Sequence, residues 1–185
     1  MPNIKSAWEI AQEKASKLGS LSSQEREEQR HEKCRLLGEA LADKYLNQRD
    51  IRTIKDELDK HEIPDKDWVA QAVIRRLGQS IDLKYPDALP EISKGTLAVH
   101  DTATTRKALE EIEILFQEYT EAAKKQSQEI EEAGGQILHQ LRISGLAIGH
   151  INILAQEEWQ AKLDQTAEPF TERLKSLKEE LLHRG

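Results

Sequence analysis

The sequence lacks the features of a disulfide-stapled or membrane-spanning protein. Its 185 residues include a single cysteine, Cys34, so no disulfide can form within the chain. The longest apolar run, residues 143–155, is interrupted by polar residues and is shorter than the roughly 20 residues that cross a bilayer. Residues 4–18 are amphipathic and mixed in charge, unlike a signal peptide. We therefore expect a soluble, cytoplasmic protein without a membrane partner.

Aromatic residues and excess positive charge are also scarce. Aromatic residues make up 4% of the chain and charged residues 33%, and the formal net charge is -7. A general nucleic-acid binder needs a basic face to displace counterions, so we predict no nucleic-acid partner. Docking on an anionic membrane is disfavoured for the same reason. Since the apolar residues that are present recur periodically, the composition favours long, solvated helices over both disorder and a thick globular core.

One long amphipathic stretch organises the rest of the chain. Between residues 104 and 133 the apolar residues alternate in spacings of three and four, which places them along one face of a helix. Gly134 and Gly135 follow, and each glycine costs a helix about 1 kcal/mol. We expect one helix up to Ala133 and a break or sharp bend at the two glycines. The stripe consists of Leu109, Ile112, Phe116, Tyr119, Ala123, Ile130 and Ala133, with Gln126 as the one polar position in the pattern.

A second stripe, within residues 157–183, is the natural partner of the first. Pro169 either kinks this last helix or lies in the first turn of a helix capped by Thr166. The two stripes predict a long antiparallel, coiled-coil-like hairpin, which forms either a core within one chain or the interface of a homodimer or partner complex. Because aromatic residues are few, the core looks thin and the interface is favoured. The predicted interface residues are Leu109, Ile112, Phe116, Tyr119, Leu174, Leu177 and Leu181.

Residues at cap positions divide residues 1–83 into an N-terminal cluster of four helices. The first three turns of the second helix, residues 24–33, contain no apolar residue, so they should project into solvent or hold a partner through charge. Cys34 follows on the apolar stripe of that helix and is expected in the core rather than as a reactive thiol. The predicted caps are Asn3 or Ser6, Ser22 with Glu25, Asp50, and Asp65 or Asp67.

Residues 84–102 separate this cluster from a long helical hairpin formed by residues 103–185. Pro86 and Pro90 argue against a helix through their neighbourhood. We therefore predict a proline-containing connector between two helical units, which can also pack as a single domain. A connection of this length in a compact domain should pack on something or include a short strand.

Two short aliphatic segments resemble each other. Residues 95–100 read Gly-Thr-Leu-Ala-Val-His and residues 145–150 read Gly-Leu-Ala-Ile-Gly-His. One hypothesis pairs them as a two-stranded β-ribbon, which would need helices packed against it. The rival interpretation of residues 143–154 is a buried helix. The predicted fold class is thus all-α, a helical bundle with a long antiparallel hairpin, with or without a small two-stranded ribbon.

No catalytic, metal-binding or nucleotide-binding motif stands out, so we predict no catalytic residue, no metal ligand and no cofactor. Glu28 with His31 and Glu180 with His183 match the Glu-x-x-His element of di-metal bundles. That chemistry needs two such elements facing each other, with further glutamates from two other helices. Here one element lies in a fully charged stretch and the other at the C-terminus, so solvated charge is the better interpretation.

The candidate ligand-binding residues are His100, Asp101 and His150. They converge only if the two similar segments pair. The alternative is two ordinary, partly exposed histidines, with Asp101 capping the central helix.

Two stretches resemble a group of small uncharacterised bacterial helical proteins. Residues 4–11, Ile-Lys-Ser-Ala-Trp-Glu-Ile-Ala, resemble the start of those proteins, as do residues 13–14 and 17–19. Residues 143–148, followed by Trp159, resemble a segment near their end. The resemblance implies a bacterial, soluble protein and brings no activity with it.

The function predicted from these patterns is that of a non-enzymatic helical interaction or assembly protein, acting through its amphipathic stripes as a homodimer or with a protein partner. The alternative is a small-ligand or metal-binding helical protein, either a binding protein or an enzyme, with a site near residues 95–101 and 144–154. An RNA- or ribosome-associated factor would need a basic face, for which the mixed charges of residues 24–35 give little support.

Overall fold

The computed structural model describes residues 22–140 and 157–183. These residues form six α-helices and one 3-10 turn, and no strand occurs among them. The predicted all-α class is therefore confirmed for this part of the chain, whereas the first predicted helix and its caps Asn3 or Ser6 lie outside it. The helices are α1 (Ser23–Gln48), α2 (Ile51–Leu58), α3 (Asp65–Gln79), α4 (Leu89–Val99), α5 (Ala103–Gln140) and α6 (Glu157–His183), and the 3-10 turn Pro86–Ala88 precedes α4.

Two of the predicted helix caps are confirmed. The Ser22 hydroxyl accepts the N–H of Glu25 at 3.1 Å, and the Glu25 carboxylate accepts the N–H of Ser22 at 2.7 Å. This reciprocal capping box satisfies two amides at the start of α1. Asp50 caps α2 by accepting the N–H of Arg52 at 3.0 Å.

The start of α3 differs from the prediction. Pro64 occupies the cap position and no side chain caps the helix, so the predicted cap by Asp65 or Asp67 is wrong. Both aspartates lie inside the first turn instead. There a negative charge still favours the helix, because it lies near the positive end of the helix dipole.

The helix α1 consists of two unlike halves. All residues from Ser22 to Lys33 are exposed, as expected from their lack of apolar side chains. Cys34, Leu41 and Tyr45 in the second half are buried in the core, which confirms the expected position of Cys34. Burial raises the pKa of the Cys34 thiol, so the residue is suited to packing rather than to nucleophilic chemistry.

The second half of α1 packs directly on α3. A Cβ atom at Gly38 would lie 2.5 Å from the Ala72 Cβ and 2.6 Å from the Val69 carbonyl oxygen. Gly38 therefore allows the two helix backbones to approach more closely than any side chain would permit. An ion pair between Arg76 Nε and Asp43 Oδ1 at 2.7 Å lies further along the same pair of helices.

The predicted connector contains a helix, and the predicted strand over residues 95–100 is wrong. The helix α4 spans Leu89–Val99, with Pro90 in its first turn. An amide hydrogen in the first turn has no acceptor within the helix, so its absence from proline costs no hydrogen bond there, and the fixed φ of proline suits the helix. The Tyr45 hydroxyl donates to the Glu91 carbonyl at 2.7 Å and its ring lies against Gly95. The other half of the proposed ribbon, residues 145–150, lies outside the described residues.

The helix α5 continues through the two glycines to Gln140, so the predicted break after Ala133 is wrong. Gly134 is buried and Gly135 is exposed, and neither has a positive φ. Two glycines cost about 2 kcal/mol together, and the helix nevertheless extends five residues beyond them, to Gln140. At the other end, the Thr102 hydroxyl accepts the N–H of Thr105 at 3.1 Å.

The helices α5 and α6 pack against each other along their apolar stripes. The rings of Tyr119 and Phe170 are 5.5 Å apart, and Arg173 Nη1 lies 2.7 Å from Glu118 Oε2. Pro169 lies inside α6, which continues on both sides of it. The alternative that places Pro169 in the first turn of a helix capped by Thr166 is therefore wrong, whereas a kink at this proline stays a prediction.

A single hydrophobic core includes buried side chains from all six described helices. Leu89 and Ile92 of the predicted connector belong to it, which favours the single-domain alternative, while the division into domains stays a prediction. None of the described helices is long and apolar enough to cross a membrane.

Candidate docking groove

A groove of about 460 Å³ runs between the start of α4 and the middle of α5. The 3-10 turn and α4 form one wall, and about two turns of α5 form the other. We call it the α4/α5 groove. Its lining residues are Pro86, Leu89, Pro90, Ser93, Glu113, Phe116, Gln117, Thr120 and Glu121.

The apolar floor of the groove is anchored in the core. Leu89 is 6% exposed and Phe116 is 5% exposed, so each side chain joins the core and contributes to the groove lining. The helix α4 is held in place by the hydrogen bond from Tyr45 to the Glu91 carbonyl. A floor made of side chains packed in this way is preformed, which lowers the conformational cost of binding.

The polar side chains of the groove are mostly on α5. Glu113 and Glu121 form no ion pair with another described residue, and no lysine or arginine is among the described residues that line the groove. Lys94 Nζ forms an ion pair with Glu91 Oε1 at 2.7 Å, and this pairing lowers the pKa of the Glu91 carboxyl. Thr120 donates its hydroxyl proton to the Phe116 carbonyl at 2.8 Å. The free charge of the lining is therefore negative.

An exposed aromatic residue precedes the groove. Tyr85 is 66% exposed and is followed directly by Pro86, which lines the groove. Large exposed apolar side chains beside a concave apolar surface are a common mark of interaction sites. Among the described residues, the lining places no histidine, cysteine or lysine beside Ser93.

The predicted ligand residues are not brought together in the part of the chain that the structure describes. His100 Nδ1 lies 3.0 Å from Thr105 Oγ1. Asp101 pairs with Arg106 instead of capping α5, with Oδ2 at 2.6 Å from Nη2, and this pairing lowers the pKa of the Asp101 carboxyl. His150 lies outside the described residues, so a ligand site at these three positions stays a prediction.

The predicted interface residues lie mostly in the core of the single chain. Leu109, Ile112, Phe116, Leu174 and Leu181 are buried there. Tyr119 and Leu177 are partly buried against the same core. Their stripes thus cover each other within the chain, and a role for them between chains stays a prediction.

The groove itself was missed by sequence reasoning. Pro86, Leu89, Pro90 and Ser93 follow one another at spacings typical of one helix face. Interpreting the two prolines as helix breakers concealed this signal. No group of three or more histidine, cysteine, aspartate or glutamate side chains suited to a metal ion occurs among the described residues.

Comparison with protein-family models, curated proteins and solved structures finds no match for this chain. The residues that resemble small bacterial helical proteins fall mainly within 4–19 and 143–148, which lie outside the described part. That resemblance stays a prediction.

Proposed function

We propose that the protein is a non-enzymatic helical interaction or assembly protein that holds its partner in the α4/α5 groove. The observation that carries this proposal is a preformed groove with the apolar side chains of Leu89 and Phe116 in its lining, directly preceded in the chain by exposed Tyr85. The large net negative charge supports a protein partner over a nucleic acid or an anionic membrane. A bacterial cytoplasm is the proposed setting.

The long helices provide the frame rather than the docking surface. We infer that α5 and α6 form an antiparallel, coiled-coil-like hairpin. Tyr119 packs on Phe170, and Ile114 lies beside Leu177 in a shared surface cleft, so residues later in α5 meet residues earlier in α6. Since their apolar stripes face each other, the groove is the better candidate for contact with a second molecule, including the partner copy of a homodimer.

A photo-crosslinking experiment tests the proposed function. A benzophenone amino acid replaces Ser93 in the groove or, as a control, Glu131 on the exposed side of α5, and both full-length proteins are irradiated in cells. We expect a defined protein adduct from position 93 only. The captured partner is then purified, and its affinity is measured by calorimetry for the original chain and for Thr120→Arg, which places a large side chain in the groove.

Thr120→Arg should weaken binding at least tenfold, whereas Gln128→Arg, an exposed position on α5 outside the groove, should leave it unchanged. Equal adducts from positions 93 and 131, no adduct at all, or equal affinities of the two arginine variants would contradict the proposal.

A small-ligand or metal-binding protein remains the second candidate, because the groove volume of about 460 Å³ lies in the range of small-molecule sites. Native mass spectrometry of protein purified from the source cell tests it. A bound small molecule or metal ion that disappears in Thr120→Arg but persists in Gln128→Arg would favour this candidate over a protein partner.

A further inference from the structure

We infer that the occupant of the α4/α5 groove is an amphipathic helix of another protein, with its apolar side chains on the groove floor and lysine or arginine residues opposite Glu113 and Glu121. This inference rests on the proposed function and adds the chemistry of the partner. It depends on three properties of the groove: its walls, its charge and its length.

The walls favour side-chain recognition. One wall is the 3-10 turn followed by α4, and the other wall is α5. Amides beyond the first turn of each helix are engaged within that helix, and at the junction the Leu89 amide donates to the Pro86 carbonyl. Pro86 and Pro90 have no amide hydrogen to offer. An extended peptide could therefore not add itself as a strand. A helix satisfies its own backbone hydrogen bonds and presents apolar side chains at spacings of three and four, which suits a floor formed by Leu89 and Phe116.

The charge of the lining identifies the partner as basic. Glu113 and Glu121 are exposed and are not paired with any described residue, and the lining contributes no positive charge. A partner with cations at these points gains complementarity, and an acidic partner is repelled. A second copy of this chain carries a net charge of -7, so a different, basic protein fits the groove better.

The length of the groove sets the spacing of the cations. Glu113 and Glu121 are eight residues apart on α5, which corresponds to about 12 Å along the helix axis. On a partner helix that lies along the groove, the same distance separates residues seven or eight positions apart. The expected motif is therefore an apolar stripe with lysine or arginine at positions i and i+7 or i+8.

Two labelled peptides test the inference on the full-length chain. Both have the same leucine stripe on an alanine-rich helix, and they differ only in carrying lysine or glutamate at positions i and i+7. Fluorescence anisotropy at low and at physiological salt reports their affinities. We expect the lysine peptide to bind at least tenfold more tightly than the glutamate peptide, with the preference reduced at the higher salt concentration.

Charge-reversed variants locate the effect. Glu113→Lys/Glu121→Lys should reverse the preference between the two peptides. The control Glu129→Lys/Glu131→Lys makes the same change in net charge at exposed positions of α5 outside the groove, and it should retain the original preference. Circular dichroism of each variant checks that the helices are intact.

Several outcomes would overturn the inference. These outcomes are a lysine peptide that does not bind, equal affinities of the two peptides, and equal peptide preferences of the two double variants. A concentration-dependent dimer of the chain that Thr120→Arg abolishes would identify a second copy as the occupant. In each of these cases an adduct from position 93 and its loss in Thr120→Arg would still support the groove as a docking site, so the two proposals fail separately.

Discussion

Two pairs of helices in this molecule pack against each other in different ways. The helices α1 and α3 approach so closely that Gly38 has no room for a Cβ atom beside Ala72 and Val69. The helices α5 and α6 instead meet through large side chains, such as the ring pair of Tyr119 and Phe170. Both contacts bury apolar surface, and at Gly38 the first contact also depends on the absence of a side chain.

The difference predicts unlike tolerance to substitution. A contact between backbones has no flexible group that can move aside, so added volume must separate the helices. A contact between long side chains can adjust through their rotamers, and its energy is spread over many weak pairs. We therefore expect the α1/α3 pair to be sensitive to one methyl group and the α5/α6 pair to respond in small steps.

The largest effect is expected for Gly38→Ala. The new Cβ would meet the Val69 carbonyl oxygen, a backbone atom, at 2.6 Å, and overpacking of this kind costs about 3 kcal/mol. Urea denaturation measures the loss in free energy of unfolding. The control is Gly78→Ala, a buried glycine whose Cβ would lie 3.8 Å from Leu181 Cδ2. Equal stability of the two variants would show that the α1/α3 contact tolerates an added methyl group.

A double-mutant cycle on Tyr119→Ala and Phe170→Ala measures the coupling energy of the ring pair between α5 and α6. The two rings are tilted by 59° with their centres 5.5 Å apart, and pairs of this geometry contribute about 1 kcal/mol beyond their buried area. The coupling energy from thermal or urea unfolding should be of that size. A coupling near zero would mean that the rings merely cover apolar surface.

Gly135→Ala should increase stability, in contrast to Gly38→Ala. A Cβ at Gly135 meets no atom of the described residues within 4 Å, and alanine is a better helix former than glycine by up to about 1 kcal/mol. Circular dichroism should show a higher unfolding midpoint. A lower midpoint would show that Gly135 has a structural role that its open surroundings do not suggest.

The smallest effect is expected for the ion pair of Glu118 and Arg173. The atoms are 2.7 Å apart, but both side chains are about half exposed, and such pairs contribute about 0.5 kcal/mol. A cycle of Glu118→Gln and Arg173→Gln should show a coupling that falls towards zero in 1 M salt. A large coupling that persists in salt would indicate that the pair has a part in fixing α5 against α6.

The sequence predicts best those features whose causes are local. The capping box of Ser22 and Glu25 and the cap at Asp50 depend on residues a few positions apart, and both occur as predicted. The stripe of α5 was also recognisable, because its period alone identifies a helix. Whether that stripe would meet α6 of the same chain or a second chain is a tertiary question that no local pattern answers.

The errors share a physical origin in propensities that the surroundings override. Local propensity predicts helix breaks at Pro90 and at the glycines 134–135, but Pro90 lies in a first turn and the glycines lie within a long helix. Their local penalties of a few kcal/mol at most are smaller than what packing and flanking turns can supply. The groove was missed for a related reason, since it exists only where α4 and α5 come together in space.

The exposed half of α1 has a consequence for the dynamics of the chain. Before Arg30, which pairs with Asp65 at 2.6 Å, the hydrogen bonds that this segment forms with other described residues lie within α1 and its capping box. Amide hydrogens there are protected only by local helix formation and should exchange with deuterium far sooner than those around Tyr45. The same helix is thus expected to open in stages from its N-terminal end, while its core half opens only when the whole domain unfolds.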